Sequence, residues 1–324
     1  MRFAVLGAGA IGGYVGAALS RGGADVTLIA RGAQLEALRR NGVRVLSERG
    51  DFAAHPAATD EIEAVADADV VFVALKAYSL PGVAARLGAS LRPGAVTIWA
   101  QNGMPWWFFQ SHRGPLEDRV LESVDPGGGI ARAIPRESVL GTVVYCASEL
   151  VEPGVIRHVE GTRFTLGEPD GSLSARAAEI AAAFVAGGMK SPVEPRIRDH
   201  IFLKLLGNVA FNPVSALTGA TLGRLGERDE MRHLLMEMFL ECAAVAERLG
   251  IEIPVSLERR LEGGFAVGDH KTSMLQDLEA GKPLELDCMT GAIVELAGIL
   301  EIAVPHTETV HACARMLDRS SLRV

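Results

Sequence analysis

Aromatic residues are scarce. Three Trp, three Tyr and eleven Phe make up 5% of 324 residues, too few for a platform that stacks nucleic-acid bases. A basic excess is missing as well. Thirty-two Lys and Arg stand against 40 Asp and Glu, a net charge of −8, which disfavours nucleic acid and anionic membrane as partners. Cysteine is limited to Cys146, Cys242, Cys288 and Cys313, far apart and without a CxxC pair. That spacing argues against a disulfide framework and for reduced thiols, so a cytoplasmic location is expected. The eight histidines show no HxxxH spacing and no dense Cys/His cluster, so no metal site is expected. Long apolar runs are also lacking. The charge-free stretch over residues 205–223 contains Asn208, Asn212 and Pro213, which makes a poor membrane span. The glycine-broken start makes a poor signal peptide.

What is present reads as a globular protein. Apolar residues make up 48% and charged residues 22%, enough for a sizeable core, and the length predicts two domains. Short β-rich runs at residues 3–6, 25–29, 43–46, 70–75 and 96–100 alternate with helix-like runs such as 11–21. That alternation predicts βαβ units and a doubly wound, Rossmann-type parallel sheet. Further β-like runs at 141–147, 155–159 and 163–166 are separated by Pro153-Gly154 and by Gly161, both read as hairpin turns. A helix over 172–185 has Ser172 or Ser174 as its N-cap. Pro192 and Pro195 then break the chain, and helical patterns dominate beyond. The expected division is an α/β domain over 1–194 and an all-α domain over 195–324.

Gly7-Ala8-Gly9-Ala10-Ile11-Gly12 directly follows the first strand and opens a helix. In that context GxGxxG is the fingerprint of a dinucleotide pyrophosphate on a helix N-terminus. At the end of the second strand, where an NAD site commonly carries an acid, stands Arg31, with Gln34 just beyond. A guanidinium suits a 2′-phosphate, so the expected cofactor is NADP. Two other strand ends are candidates for the same crevice, Lys76 and Asn102, although Asn102-Gly103 also reads as plain turn chemistry.

Lys204, Asn208 and Asn212 recur every fourth residue in an otherwise apolar helix, which places them on one face. That face is solvated, or its asparagines cap a neighbouring helix, or it lines a cleft. Pro213 is expected to end or kink the helix there. Ser273 reads as an N-cap with Gln276 completing a capping box, and Glu285 as an acid at a helix start.

Taken together, these motifs resemble the ketopantoate reductase family (2-dehydropantoate 2-reductases) over essentially the whole chain. The resemblance rests on the glycine loop, Leu75-Lys76-Ala77, Gln101-Asn102-Gly103, Lys204 with Asn208 and Asn212-Pro213, Ser273-Met274-Leu275-Gln276-Asp277 and Glu285-Leu286-Asp287. It implies NADPH-dependent reduction of the 2-oxo acid 2-dehydropantoate to pantoate, on the route to pantothenate and coenzyme A. It implies Lys204 as proton donor and Asn208, Asn212 and Ser273 as substrate contacts. Asn102 is implied to touch cofactor and substrate, Lys76 and Ala147 the cofactor, and Glu285 the cofactor and the reacting site. A homodimer is compatible with it. Two departures stand out. Gly219-Ala220-Thr221-Leu222 replaces a further asparagine that family members often carry, and Pro105-Trp106-Trp107-Phe108-Phe109 replaces small residues. The aromatic run lines a substrate pocket, or packs a core or a subunit contact; the first case leaves room for a different 2-oxo or 2-hydroxy acid. A non-catalytic NADP-binding sensor is the reading from another class.

Overall fold

The computed structural model describes residues 1–318. The chain divides into two compact units. The first comprises Met1–Gln101, Trp107–Arg119 and Gly128–Ile197, and the second Asn102–Trp106, Val120–Gly127 and Arg198–Val324. Two stretches well before residue 195 thus pack with the helical part.

The first unit holds nine strands: β1 (Arg2–Leu6), β2 (Asp25–Ile29), β3 (Val43–Ser47), β4 (Phe52–Ala54), β5 (Ala57–Thr59), β6 (Val70–Val73), β7 (Val96–Trp99), β8 (Val139–Glu152) and β9 (Val155–Gly167). Its helices are α1 (Ala10–Arg21), α2 (Gly32–Asn41), α3 (Ala84–Ser90), α4 (Gly129–Ala133) and α5 (Ala175–Ala186). The sheet order is β4-β3-β9-β8-β7-β6-β1-β2-β5. From β8 to β5 every pair is parallel, whereas β8–β9 and β3–β4 are antiparallel. The expected α/β sheet is present, mixed on one side.

This sheet is strongly curled. Its two outermost strands, β4 and β5, are separated by only His55 and Pro56. Nine flat strands would set their edges about 38 Å apart at ~4.8 Å spacing. The three peptide steps from Ala54 to Ala57 reach at most about 11 Å. The sheet therefore wraps around α1, which packs on β1, β2, β3, β4, β8 and β9. The helix suits that place, because Gly12 through Leu19 are all buried. Phe3, Phe72, Phe164 and Phe184 meet edge-on nearby, a geometry that favours the ring quadrupoles. Phe184 comes from α5, whose N-cap Ser174 accepts from the Ala177 N–H at 3.1 Å.

Two expectations need correction. Gly161 is not a hairpin turn, since β9 runs straight through it. Arg163 pairs with Tyr145 and Glu160 with Ala147, so two residues on β9 face Cys146 alone. This is a β-bulge, and Gly161 takes φ +69 there, as a glycine-type bulge requires. Pro213 does not end its helix either.

The second unit is helical: α6 (Ile197–Thr218), α7 (Leu222–Gly226), α8 (Asp229–Arg248), α9 (Leu257–Phe265), α10 (Ser273–Glu279), α11 (Ala292–Leu300) and α12 (Pro305–Arg315), with a π-helical turn at Asp287–Gly291 leading into α11. Helix α6 continues five residues past Pro213, forgoing one backbone bond. It is long and apolar enough to cross a membrane by composition, but 72% of its most apolar stretch is buried inside the protein, as in a core helix. Phe211 from α6 meets Phe239 of α8 and Phe265 of α9 at near-perpendicular angles. Glu241, buried on α8, accepts from the His306 and Thr307 N–H groups at 2.8 Å each and so caps α12.

Candidate active site

In the first unit the strand-to-helix turn is built from backbone. Gly7 follows β1 with φ +99, and a side chain there would crowd Leu75 Cδ2 at 2.9 Å and the Ala74 carbonyl at 3.1 Å. The N–H groups of Gly7 and Ala8 both donate to Ile29 O, at 3.0 and 3.2 Å. That contact ties the loop to the end of β2. Gly12 is obligatory, because a Cβ there would lie 2.1 Å from Gly7 O. Gly9 is the N-cap of α1 and offers no side-chain cap, and a Cβ at Gly9 would meet nothing within 4 Å. The first intrahelical bond is Gly13 N–H to Gly9 O, 2.7 Å. The N–H groups of Ala10, Ile11 and Gly12 therefore point out of the helix end. No acid lies in this first turn, so the positive end of the helix dipole is unopposed. The loop fits a dinucleotide pyrophosphate.

Arg31 stands exposed at the N-cap of α2 and makes no ion pair among the described residues. Gln34, three residues on, clamps the loop from outside. Its Nε2 donates to Ala8 O at 2.7 Å, and its Oε1 accepts from Gly154 N–H at 2.9 Å. Gln101 works similarly at the other strand ends, with Nε2 donating to Val73 O at 3.0 Å and Leu75 O at 2.9 Å. That fixes the turn on which Lys76 sits. Ala147 lies on β8 opposite Glu160, at the bulge. Neither glutamine clamp is visible in the sequence, because each depends on contacts far along the chain.

In the second unit the fourfold spacing on α6 does form one face. Lys204 Nζ donates to Asn102 Oδ1 at 2.7 Å. One turn on, Asn208 Nδ2 is buried and has no hydrogen-bond partner among the described residues. A buried donor without an acceptor costs free energy, and a ligand oxygen would satisfy it. A further turn on, Asn212 is buried, with Nδ2 donating to Met289 Sδ at 3.6 Å, a weak acceptor. Glu285 is buried two residues before the π-helical turn. Its carbonyl accepts from Cys288 Sγ at 3.6 Å, and the same thiol reaches Asn102 O at 3.5 Å. The structure thus brings Asn102, Lys204 and the Glu285 segment together.

Among the described residues, Ser273 is not joined to them by any hydrogen bond. It is exposed at the start of α10, and Thr272 rather than Ser273 is the cap, its Oγ1 accepting from Leu275 N–H at 3.3 Å. With the capping role taken by its neighbour, the Ser273 hydroxyl is left to solvent. In the aromatic run all four rings are buried. Trp106 is 7% exposed and Trp107 0%. Trp107 lies over Gly141 of β8, where a Cβ would sit 2.5 Å from the indole. This ring is core packing of the first unit and not a pocket wall. Among the described residues no group of three His, Cys, Asp or Glu side chains is placed to hold a metal.

Comparison with known proteins agrees with this architecture. The family model described as ketopantoate reductase PanE/ApbA matches residues 3–171, and its C-terminal counterpart matches residues 196–318. A 2-dehydropantoate 2-reductase from Mesorhizobium japonicum is 43% identical over 318 residues, covering 98% of each chain. A 2-dehydropantoate 2-reductase from Halobacterium salinarum is 32% identical, over 98% of this chain and 99% of that one. Among solved structures, a PanE/ApbA family ketopantoate reductase from Ralstonia eutropha JMP134 superposes with a TM-score of 0.86 at 27% identity, with both chains fully covered. With two family models spanning nearly all of its length and a full-length relative at 43% identity, the chain belongs to the ketopantoate reductase family.

Proposed function

We propose that this protein reduces 2-dehydropantoate to pantoate with NADPH, on the route to pantothenate and coenzyme A. The observation that carries the reading is the α6 face, where Lys204 is oriented by Asn102 at 2.7 Å beside the unpartnered donor of Asn208. A protein that only senses a dinucleotide has no use for such a face. The full-length relative from Mesorhizobium japonicum bears the name of this activity.

NADPH, when bound, supplies the hydride. The remaining work belongs to the chain. The glycine loop and the open end of α1 hold the pyrophosphate, and Arg31 holds the 2′-phosphate. Lys76, Ala147 and Glu285 are further cofactor contacts in this reading, with Glu285 also close to the reacting site. Asn208, Asn212 and Ser273 bind the 2-oxo acid by neutral donors. As the carbonyl oxygen gains negative charge, the Lys204 ammonium stabilises it and then gives it a proton. Asn102 contributes by fixing the direction of that ammonium. The four cysteines are all free thiols, which suits a cytoplasmic enzyme. A homodimer is the proposed assembly.

The direct test is a panel of 2-oxo acids with NADPH and with NADH, followed by loss of nicotinamide absorbance. The highest kcat/KM is expected for 2-dehydropantoate, and preference for another acid would overturn the substrate. NADPH is expected to bind more tightly than NADH, and Arg31→Ala to narrow the gap by about 1–3 kcal/mol, the usual worth of hydrogen bonds to charged groups. Equal affinity of the unmodified protein for both cofactors would remove Arg31 from the specificity argument.

A further inference from the structure

The Lys204–Asn102 pair stands on a third element. Asn102 begins a short stretch that lies against the π-helical turn at Asp287–Gly291. Met104 N–H donates to Cys288 O at 2.7 Å, and the single Cys288 S–H is shared between Asn102 O at 3.5 Å and Glu285 O at 3.6 Å. Between these two contacts Gly103 takes φ +86, and a Cβ on it would lie 2.4 Å from Cys288 O and 2.9 Å from Cys288 Sγ. Three successive residues are therefore seated on one cysteine, which is itself buried. The turn beneath is unusual. Gly291 N–H donates to Leu286 O, five residues back, at 3.0 Å. Single π-helical turns are rare and recur at functional sites because they redirect a few backbone groups inside an otherwise regular helix. Here the Cys288 carbonyl meets a residue outside its own helix.

We infer that Cys288, presented by the π-helical turn, is a positioning residue: it sets where Asn102 lies and, through Asn102, where the Lys204 ammonium points. Its thiol meets Asn102 at the backbone carbonyl, whereas Lys204 holds the side-chain Oδ1, so it acts through the placing of Asn102. The inference rests on Lys204 being the proton donor. A shift of about 1 Å in a catalytic group lowers turnover by up to ~10²-fold, so the seat of Asn102 has leverage on rate out of proportion to its own contacts.

The test is a double-mutant cycle on the full chain, with 2-dehydropantoate, or the best acid of the panel, and NADPH. Cys288→Val removes the thiol donor and adds a methyl group against Gly103. It is expected to lower kcat by about ten- to a hundredfold, with KM changed far less. Cys288→Ser, which keeps a donor toward both carbonyls, is expected to recover most of the loss. In a Lys204→Ala background, Cys288→Val is expected to lower kcat by less than about twofold, because groups that act as one unit are not additive. A purely structural role would cost the same factor in both backgrounds, and that result overturns the inference, as does a folded Cys288→Val protein with unmodified kcat. If the valine variant does not fold, Cys288→Ala carries the same cycle, with thermal melts as the check. Lys204→Ala measured alone separates the two ideas. Near-normal turnover there removes the proton donor and the inference with it, whereas a large loss joined to additivity removes the inference only.

Discussion

Lys204→Ala is expected to lower kcat by about two to four orders of magnitude, the usual cost of losing a general acid, with NADPH affinity changed little. The lysine sits on α6, and its ammonium is held by Asn102 at 2.7 Å. Hydride addition to a ketone leaves charge on oxygen, and a preorganised cation there is effective because it need not reorganise during the reaction. Stopped-flow turnover together with a separate NADPH titration checks both halves. Intact turnover in a well-folded variant would take Lys204 out of the mechanism, while a parallel loss of NADPH binding would make it a cofactor ligand. Lys204→Arg is a useful companion, since it keeps the charge but changes the geometry of donation.

Trp107→Ala is expected to destabilise the protein by about 3–5 kcal/mol, the usual cost of deleting a buried large aromatic, and to leave the ranking of 2-oxo acids unchanged. The ring is fully buried over Gly141 of β8. Its indole N–H has no hydrogen-bond partner among the described residues, so Trp107→Phe removes packing volume without breaking a bond and should cost clearly less. Thermal melts measured beside the substrate panel decide the matter. A stable Trp107→Ala protein with altered acid preference would restore the pocket reading of this ring.

Much of the fold is legible in local sequence because its signals are local. The glycine loop lies between β1 and α1 in continuous chain, and the polar face of α6 follows from helical spacing alone. The ends of these elements fall close to where the apolar runs stop. What the sequence conceals is set by distant partners. Strands β4 and β5 are three residues each, too short to show an alternation. Gly161 reads as a turn until its pairing opposite Tyr145 and Ala147 is known. The cap of α10 is misplaced by one residue because Thr272 and Ser273 are both capping types, and Ser is if anything the better one. Cys288 carries no motif, and its meaning comes from Asn102, 186 residues away. In each of these cases the local chemistry permits two outcomes, and a tertiary contact selects one.

The curl of the sheet bears on how the chain reaches this state. Strand β3 lies beside β9, with Arg44 opposite Val155, so the wrap around α1 closes only after most of the first unit has been made. Pairings of such long sequence separation form slowly. Until β8 and β9 arrive, β3 and β7 lack neighbours that later cover them, and one side of α1 is bare. Open strand edges of that kind pair readily with other chains. Once closed, the sheet ends on two three-residue strands joined through His55 and Pro56, which leaves little template for a foreign strand. The finished protein is thus guarded against edge-to-edge aggregation, and its exposure falls on the half-synthesised chain as it leaves the ribosome.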